Sequence, residues 1–203
     1  MAKPSFSDIE KLLQGLVLPF YEIIRDISVP THRRRHENDA EHSWALAFMA
    51  SALAPQIDPK LDVGKVCMFA IVHDVVEIHA GDTSVWSHQK HLDSKQTREV
   101  KAIAKIDKEY AAFPWIAETI KSYERKDSNE AKFVYSLDKF LNLLLTYVDK
   151  NVHNIENHQL TKQRFDEFIV SHRSKAHSHK AVGKYYDDLL EAFDAHPEYF
   201  YHK

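Results

Sequence analysis

Residues 66–83, VCMFAIVHDVVEIHAGDT, set three ionisable side chains, His73, Asp74 and Glu77, in an apolar segment. Val66 to Val72 are almost all apolar, which predicts buried helix. Adjacent ionisable groups in such a segment are costly unless they are paired or hold a cation. At about 100° per residue, His73 and Glu77 stand about 40° apart on one helix face, and Asp74 is near enough to converge on the same ion. Gly81 ends the helix, and Asp82 lies in the turn beyond it. A lone His on an apolar helix is usually a satisfied core residue, and an Asp beside it can simply orient the ring. A Glu four residues on can be a surface partner. Three together in one apolar run point instead to half of a metal site.

The other half needs polar residues embedded in other apolar faces. His42 lies in the first turn of AEHSWALAFMASALA, and Asp138 follows Leu137 in the leucine-rich AKFVYSLDKFLNLLLTYV. Lys139 adjoins Asp138, but neighbours on a helix do not face each other, so a metal is the better explanation of that carboxylate. His42, His73, Asp74 and Asp138 form a mixed N/O set suited to Mn, Co, Fe, Ni, Zn or Mg, with water in the remaining positions. An ion held in such an open shell can polarise a phosphoryl oxygen and lower the pKa of its water, so the implied chemistry is hydrolysis. Glu77, one turn away and not needed to complete the set, is the candidate general acid/base or the group that orients the attacking water.

The elements that must position these residues are helices. The chain has 203 residues, 44% hydrophobic and 28% charged, with four glycines and seven prolines, which argues for long helices over a many-turned β fold. A first helix through Ile9 to Val17, capped by Ser5 or Ser7, leads to a break or kink at Pro19 and a further helical stripe through Ile27, ended by Pro30. Residues 31–38, THRRRHEN, are a basic connection that is either a solvated loop or an anion clamp. Asp39 caps a helix running to Pro55, with Trp44 on its apolar face. The helix over 62–79 follows, forming an αα-hairpin that brings His42 towards His73. Residues 83–91 read as a loop able to cover the site, 92–112 as an amphipathic surface helix, and 114–120 as a short helix. Ser128 starts the helix that carries Asp138. Residues 150–160 read as loop, 171–180 as a His-rich linker, and the last helix carries Tyr185 to Phe193. The class is all-α, in one domain.

The order H…HD…D, with the strings RHENDAEHS (35–43), HDVVEIHAGDT (73–83) and EAKFVYSLDKF (130–140), resembles the HD-domain metal-dependent phosphohydrolase superfamily. Within it the chain is similar to the bacterial 5′-deoxynucleotidases (the YfbR type) and their eukaryotic HD-domain-containing relatives. The motifs span about residues 10–150, with 151–203 a C-terminal helical extension. The resemblance implies a helical bundle, usually dimeric, that removes phosphate from deoxyribonucleoside 5′-monophosphates. It assigns His42, His73, Asp74 and Asp138 as metal ligands, Glu77 as the catalytic carboxylate, and Asp82 to the substrate end of the pocket. Arg35 would bind phosphate, with Arg34 beside it. The family's Arg-Trp pair has only an approximate counterpart in Arg25.

Rival chemistries differ in their anions. A dNTP triphosphohydrolase would use the same four ligands, and Arg33 to Arg35 would suit its longer phosphate chain. A two-metal phosphodiesterase would need more His ligands, the nearest being His79, His88 and His91, at poor spacing. A nucleotide-binding protein without turnover would not require both the ligand set and Glu77. The chain has fourteen histidines. His32, His36, His153, His158, His172, His177 and His179 read as surface or loop residues, the last three alternatively as a second metal site. A net charge of −3 gives no general attraction to nucleic acid. No apolar run is long enough for a membrane span, and the N-terminus lacks a signal-peptide pattern. The single Cys67 excludes an internal disulfide. The expectation is a cytoplasmic homodimeric nucleotidase, with base, sugar and native metal left open.

Overall fold

The computed structural model describes residues 3–31, 35–84, 86 and 89–202, which are mostly helical, with one two-stranded antiparallel sheet among them. Helix α1 (Phe6–Leu12) begins at a Ser5–Asp8 capping box and passes through a π turn (Leu13–Val17) into α2 (Leu18–Tyr21). Pro19 sits in the first turn of α2, where its missing N–H costs little.

The next segment is not the helix expected up to Pro30. Ile24–Val29 is strand β1, paired antiparallel with β2 (Arg35–Asn38) in the register Ile24↔Asn38, Ser28↔His36 and Val29↔Arg35. The β-branched residues Ile24, Ile27 and Val29 favour extended backbone, and tertiary pairing prevails over a helical spacing of apolar residues. The hairpin turns Glu37 inward, almost fully buried.

Helix α3 (Asp39–Ile57) starts from Asn38, whose side chain accepts from the Glu41 N–H while Glu41 caps in return; Asp39 is therefore inside the helix and buried. Helix α4 (Val63–Val72) packs on α3 as the expected hairpin. The single helix expected over 62–79 breaks at His73. Residues 73–76 form a turn with Val75 N–H to Val72 O and Glu77 N–H to Asp74 O bonds, before the short α5 (Glu77–Ala80). Gly81, with φ of 75°, ends it in a conformation that suits glycine.

Helices α6 (Gln89–Glu109) and α7 (Pro114–Arg125) cover α4 and α5, burying Val72, Val76, Ile106, Ile116 and Ile120 together. Helix α8 (Asn129–Val148), capped by Ser128, serves two cores. Phe133, Val134 and Leu137 pack with Leu46, Ala50, Val66 and Phe69, whereas Leu143 packs with Phe165, Tyr186 and Phe193. Residues expected as loop contain α9 (Val152–His158), and the expected His-rich linker is mostly α10 (Lys162–Ala176), turning into α11 (Lys180–Asp194). His153 and His172 are thus buried helical residues, not surface ones. Trp44, expected in the core, is 69% exposed.

Candidate metal centre

The α3–α4 hairpin sets the His42 and His73 rings 5.3 Å apart, and one donor atom from each of His42, His73 and Asp74 lies within 4.8 Å of the other two. Helix α8 adds Asp138, whose Oδ1 is 3.1 Å from His42 Nε2. Asp138 is not part of the tighter group. Its Oδ2 accepts from Lys139 Nζ at 2.6 Å and its Oδ1 from Asn142 Nδ2 at 3.0 Å. The flexible Lys139 stem does what helix geometry alone disfavours, and pairs with its sequence neighbour. Asp138 is therefore already charge-compensated while it faces His42.

Whether a cation fits is answered by His73. Its Nδ1 donates to the Ala70 carbonyl at 2.9 Å, so in the neutral ring Nε2 carries only a lone pair. That lone pair lies 3.0 Å from Asp74 Oδ2, and Nε2 is buried with no hydrogen-bond partner. Two acceptors this close need a positive charge between or beside them. Cis ligands of an octahedral ion at about 2.1 Å are about 3.0 Å apart. His42 is arranged alike. Buried Glu37 stands 3.3 Å from its Nδ1, the usual carboxylate backing of an imidazole ligand, and leaves Nε2 facing Asp138. Burial and Arg25 oppose charge on His42, but the two carboxylates at its ring nitrogens raise its pKa overall. The residues fit a divalent cation.

Arg25 is the residue that sequence reasoning undervalued. From β1 its Nη1 donates to Asp74 Oδ2 at 2.8 Å and to Asp39 Oδ1 at 3.1 Å. Burial works against its charge, yet the carboxylates of Asp74, Asp138, Asp39 and Glu77 hold it firmly protonated. Asp39 was missed altogether, because an Asp at a helix start reads as a cap. One oxygen from each of Asp39, Asp74 and Glu77 lies within 4.8 Å of the other two. Burial, then Asp74, push Asp39 up to about 6, with Arg25 opposing. Burial and the carboxylates of Asp74, Asp82 and Asp39 push Glu77 up to about 11. The Asp74 carboxyl, in contrast, is held far below its ordinary value; His73 and Arg25 outweigh its burial.

The cluster opens into a cleft of about 270 Å³. Arg25, Lys95, Lys139 and Lys175 stand among the carboxylates Asp74, Glu77, Asp82 and Asp138, and Trp86, Phe165 and Phe168 line the same cleft. Partial burial and the charges of Lys139 and Lys95 push the Lys175 ammonium down, a cation that a bound anion would stabilise. Arg98 secures the Asp82 segment, donating to the Ala80 carbonyl and to Thr83 Oγ1.

Asp82 lines the cleft. Arg35 does not. It is exposed and forks onto Glu41, with Nη1 2.7 Å from Oε2. Arg34 and His88 lie outside the described residues. His79 meets Lys105, and His91 lies beside Arg98; neither joins the donor groups found among the described residues. His172 bonds Tyr186, His177 pairs with Asp187, and His179 lies 4.0 Å from Asp58, so these three do not converge.

The sequence matches the family described as HD domain over residues 22–181. The chain belongs to the HD-domain family. It is similar to the crystal structure of a predicted metal-dependent phosphohydrolase from Magnetospirillum magnetotacticum MS-1, with 26% identity, a TM-score of 0.75 and 96% of each chain covered. The PH0347 protein of Pyrococcus horikoshii OT3 shares the fold at 23% identity and a TM-score of 0.59, covering 91% of this chain and 96% of its own. No curated protein matches the chain by sequence.

Proposed function

We propose that this protein is a metal-dependent phosphohydrolase that removes phosphate from (deoxy)nucleoside 5′-monophosphates. The single observation carrying this reading is the cleft itself, which joins a buried His42–His73–Asp74 donor group to four cations and an aromatic wall. The similarity to a metal-dependent phosphohydrolase supports the hydrolytic class. His42, His73, Asp74 and Asp138 would hold a divalent cation, of the set Mn, Co, Mg, Fe, Ni or Zn. When bound, that ion supplies Lewis acidity toward a phosphoryl oxygen and an acidified water.

The chain's own residues account for the remaining steps. Arg25, Lys139 and Lys175 bind and orient the phosphate and stabilise its charge in the transition state. Glu77, buried at the cleft floor with Lys95 Nζ 3.8 Å from its Oε1, moves a proton between the attacking water and the departing 5′ oxygen. Asp82 stands at the substrate end. Trp86 and Phe168, with ring centroids 5.8 Å apart, offer a face for a planar base. A dNTP triphosphohydrolase is the second reading, favoured by the number of lysines along the cleft.

A cytoplasmic setting suits a nucleotide substrate and the free Cys67. No helix among the described residues is long and apolar enough to cross a membrane. We further propose a homodimer, closed by a second copy over the groove of about 630 Å³ between α2, α3, α4 and α7. Trp44 and Phe48 stack there at 5.6 Å while 69% and 65% exposed, an arrangement that favours burial against a like surface.

Product chromatography tests the activity, after reconstitution with Mn or Co, on a panel of dNMPs, NMPs and dNTPs. Nucleoside and inorganic phosphate from monophosphates are expected. Nucleoside and triphosphate from dNTPs would transfer the protein to the second class, and silence with metal bound would end the nucleotidase reading.

A further inference from the structure

The hairpin that sends Arg25 and Glu37 to the metal centre sends their neighbours elsewhere. Asp26 follows Arg25, His36 precedes Glu37, and both meet α9, where His153 and His158, five residues apart, both bond Asp26. One donor atom from each of Asp26, His36 and His153 lies within 4.8 Å of the other two. Asp26 Oδ1 is 3.0 Å from His153 Nε2 and 3.2 Å from His158 Nε2. The His36 and His153 rings meet edge to face at 5.0 Å, and those of His153 and His158 lie 5.9 Å apart.

We infer that Asp26, His36, His153 and His158 form a second cation site, structural in kind, for an imidazole-preferring divalent metal such as Zn. Three imidazoles and one carboxylate are the ligand chemistry of Zn, Co, Ni or Cu rather than of Mg or Ca. The outer contacts suit the assignment. His36 Nδ1 donates to the Arg25 carbonyl at 2.9 Å, which leaves Nε2 free as a ligand. The Ser84 hydroxyl donates to Asp26 Oδ2 at 2.7 Å and leaves Oδ1 to the ion. His153 Nδ1 faces the Asn157 amide at 3.2 Å. Asn157 Nδ2 also donates to the His153 carbonyl at 3.0 Å, so ligation through Nε2, which moves the ring proton to Nδ1, has to displace the Asn157 amide from Nδ1. His158 lies outside the three-residue donor group but bonds the same Asp26 oxygen, so a swing of its ring would complete a tetrahedral shell of four protein ligands; such an ion ties the β hairpin to α9 and leaves no open position for substrate. Asp26 also lines the catalytic cleft, so the tie steadies one of its walls.

The inference does not depend on the nucleotidase reading, and its test reads metal directly. Full-length protein stripped by chelator is titrated with Zn(II) against a chromophoric chelator, as wild type, His36→Ala and His153→Ala. Both variants should bind about one equivalent less than wild type, whatever the wild-type total. Co(II) should give tetrahedral d–d absorption in wild type that both variants lose. His36 is exposed, so its removal leaves no buried hole, and His36→Ala decides the matter if His153→Ala fails to fold. Equal stoichiometry in wild type and His36→Ala, with the same Co(II) spectrum, would overturn the site.

Discussion

Asp138 divides its two oxygens between His42 and Lys139, and this division sets what its loss should do. Asp138→Asn keeps the size of the side chain but strands Lys139 without its counter-ion. Breaking a largely buried pair costs about 3 kcal/mol or more, so the melting temperature should fall together with metal affinity. Glu77→Gln should separate the two effects: metal content unchanged by elemental analysis, kcat lower by roughly 10²–10⁴-fold. Normal turnover in that variant would remove Glu77 from the chemistry. The two arginines should divide as well. Arg25→Ala unpairs Asp39 and Asp74 beside the cleft, and should raise KM for nucleotide and lower stability. Arg35→Ala, on the outside with Glu41, should leave both nearly unchanged; a raised KM there would restore Arg35 to phosphate binding.

At the scale of elements, α10 and α11 illustrate how a buried titratable group ties stability to pH. His172 Nδ1 lies 2.6 Å from the Tyr186 hydroxyl, and burial, aided by Lys139, depresses the imidazole from 6.5 to about 3. The folded state therefore favours the neutral ring. Its contribution is complete above the unfolded value near 6.5 and is lost as pH falls from there towards about 3. Melting curves of metal-free protein should show the C-terminal helices weakening across that window. His172→Gln should flatten the dependence, and an unchanged slope would assign the acid sensitivity elsewhere. The break between α4 and α5 has a comparable local logic. A continuous helix would carry Asp74 round the cylinder, whereas the tighter turn at residues 73–76 presents His73 and Asp74 to one point.

At the scale of the whole molecule, two concave surfaces differ in charge. The cleft gathers lysines, arginine and carboxylates beside its aromatic residues, while Trp44, Phe48, Ile71 and Trp115 line an apolar groove. Light scattering after size exclusion should give a dimer mass, and Trp44→Glu should give a monomer that retains the helical circular dichroism of wild type. A monomeric wild type would leave that groove without the proposed occupant. Because the groove shares α3 and α4 with the metal centre, dimerisation would also brace the hairpin that holds His42 against His73.

The sequence by itself determined the helical class, the α3–α4 hairpin, the Ser128 cap and the convergence of His42, His73 and Asp74. These follow from short-range rules: apolar periodicity, capping residues, and the cost of burying an unpaired charge. The tertiary structure alone decided the β hairpin, because strand pairing depends on a partner segment that no local spacing reveals. With it came the inward turn of Arg25 and Glu37, and the meeting of Asp26 with His153 across 127 positions of chain. It also decided which basic residues face the cleft. Arg35 belonged to the motif and points away, whereas Lys95, Lys139 and Lys175 belong to separate helices and meet only once those helices have packed.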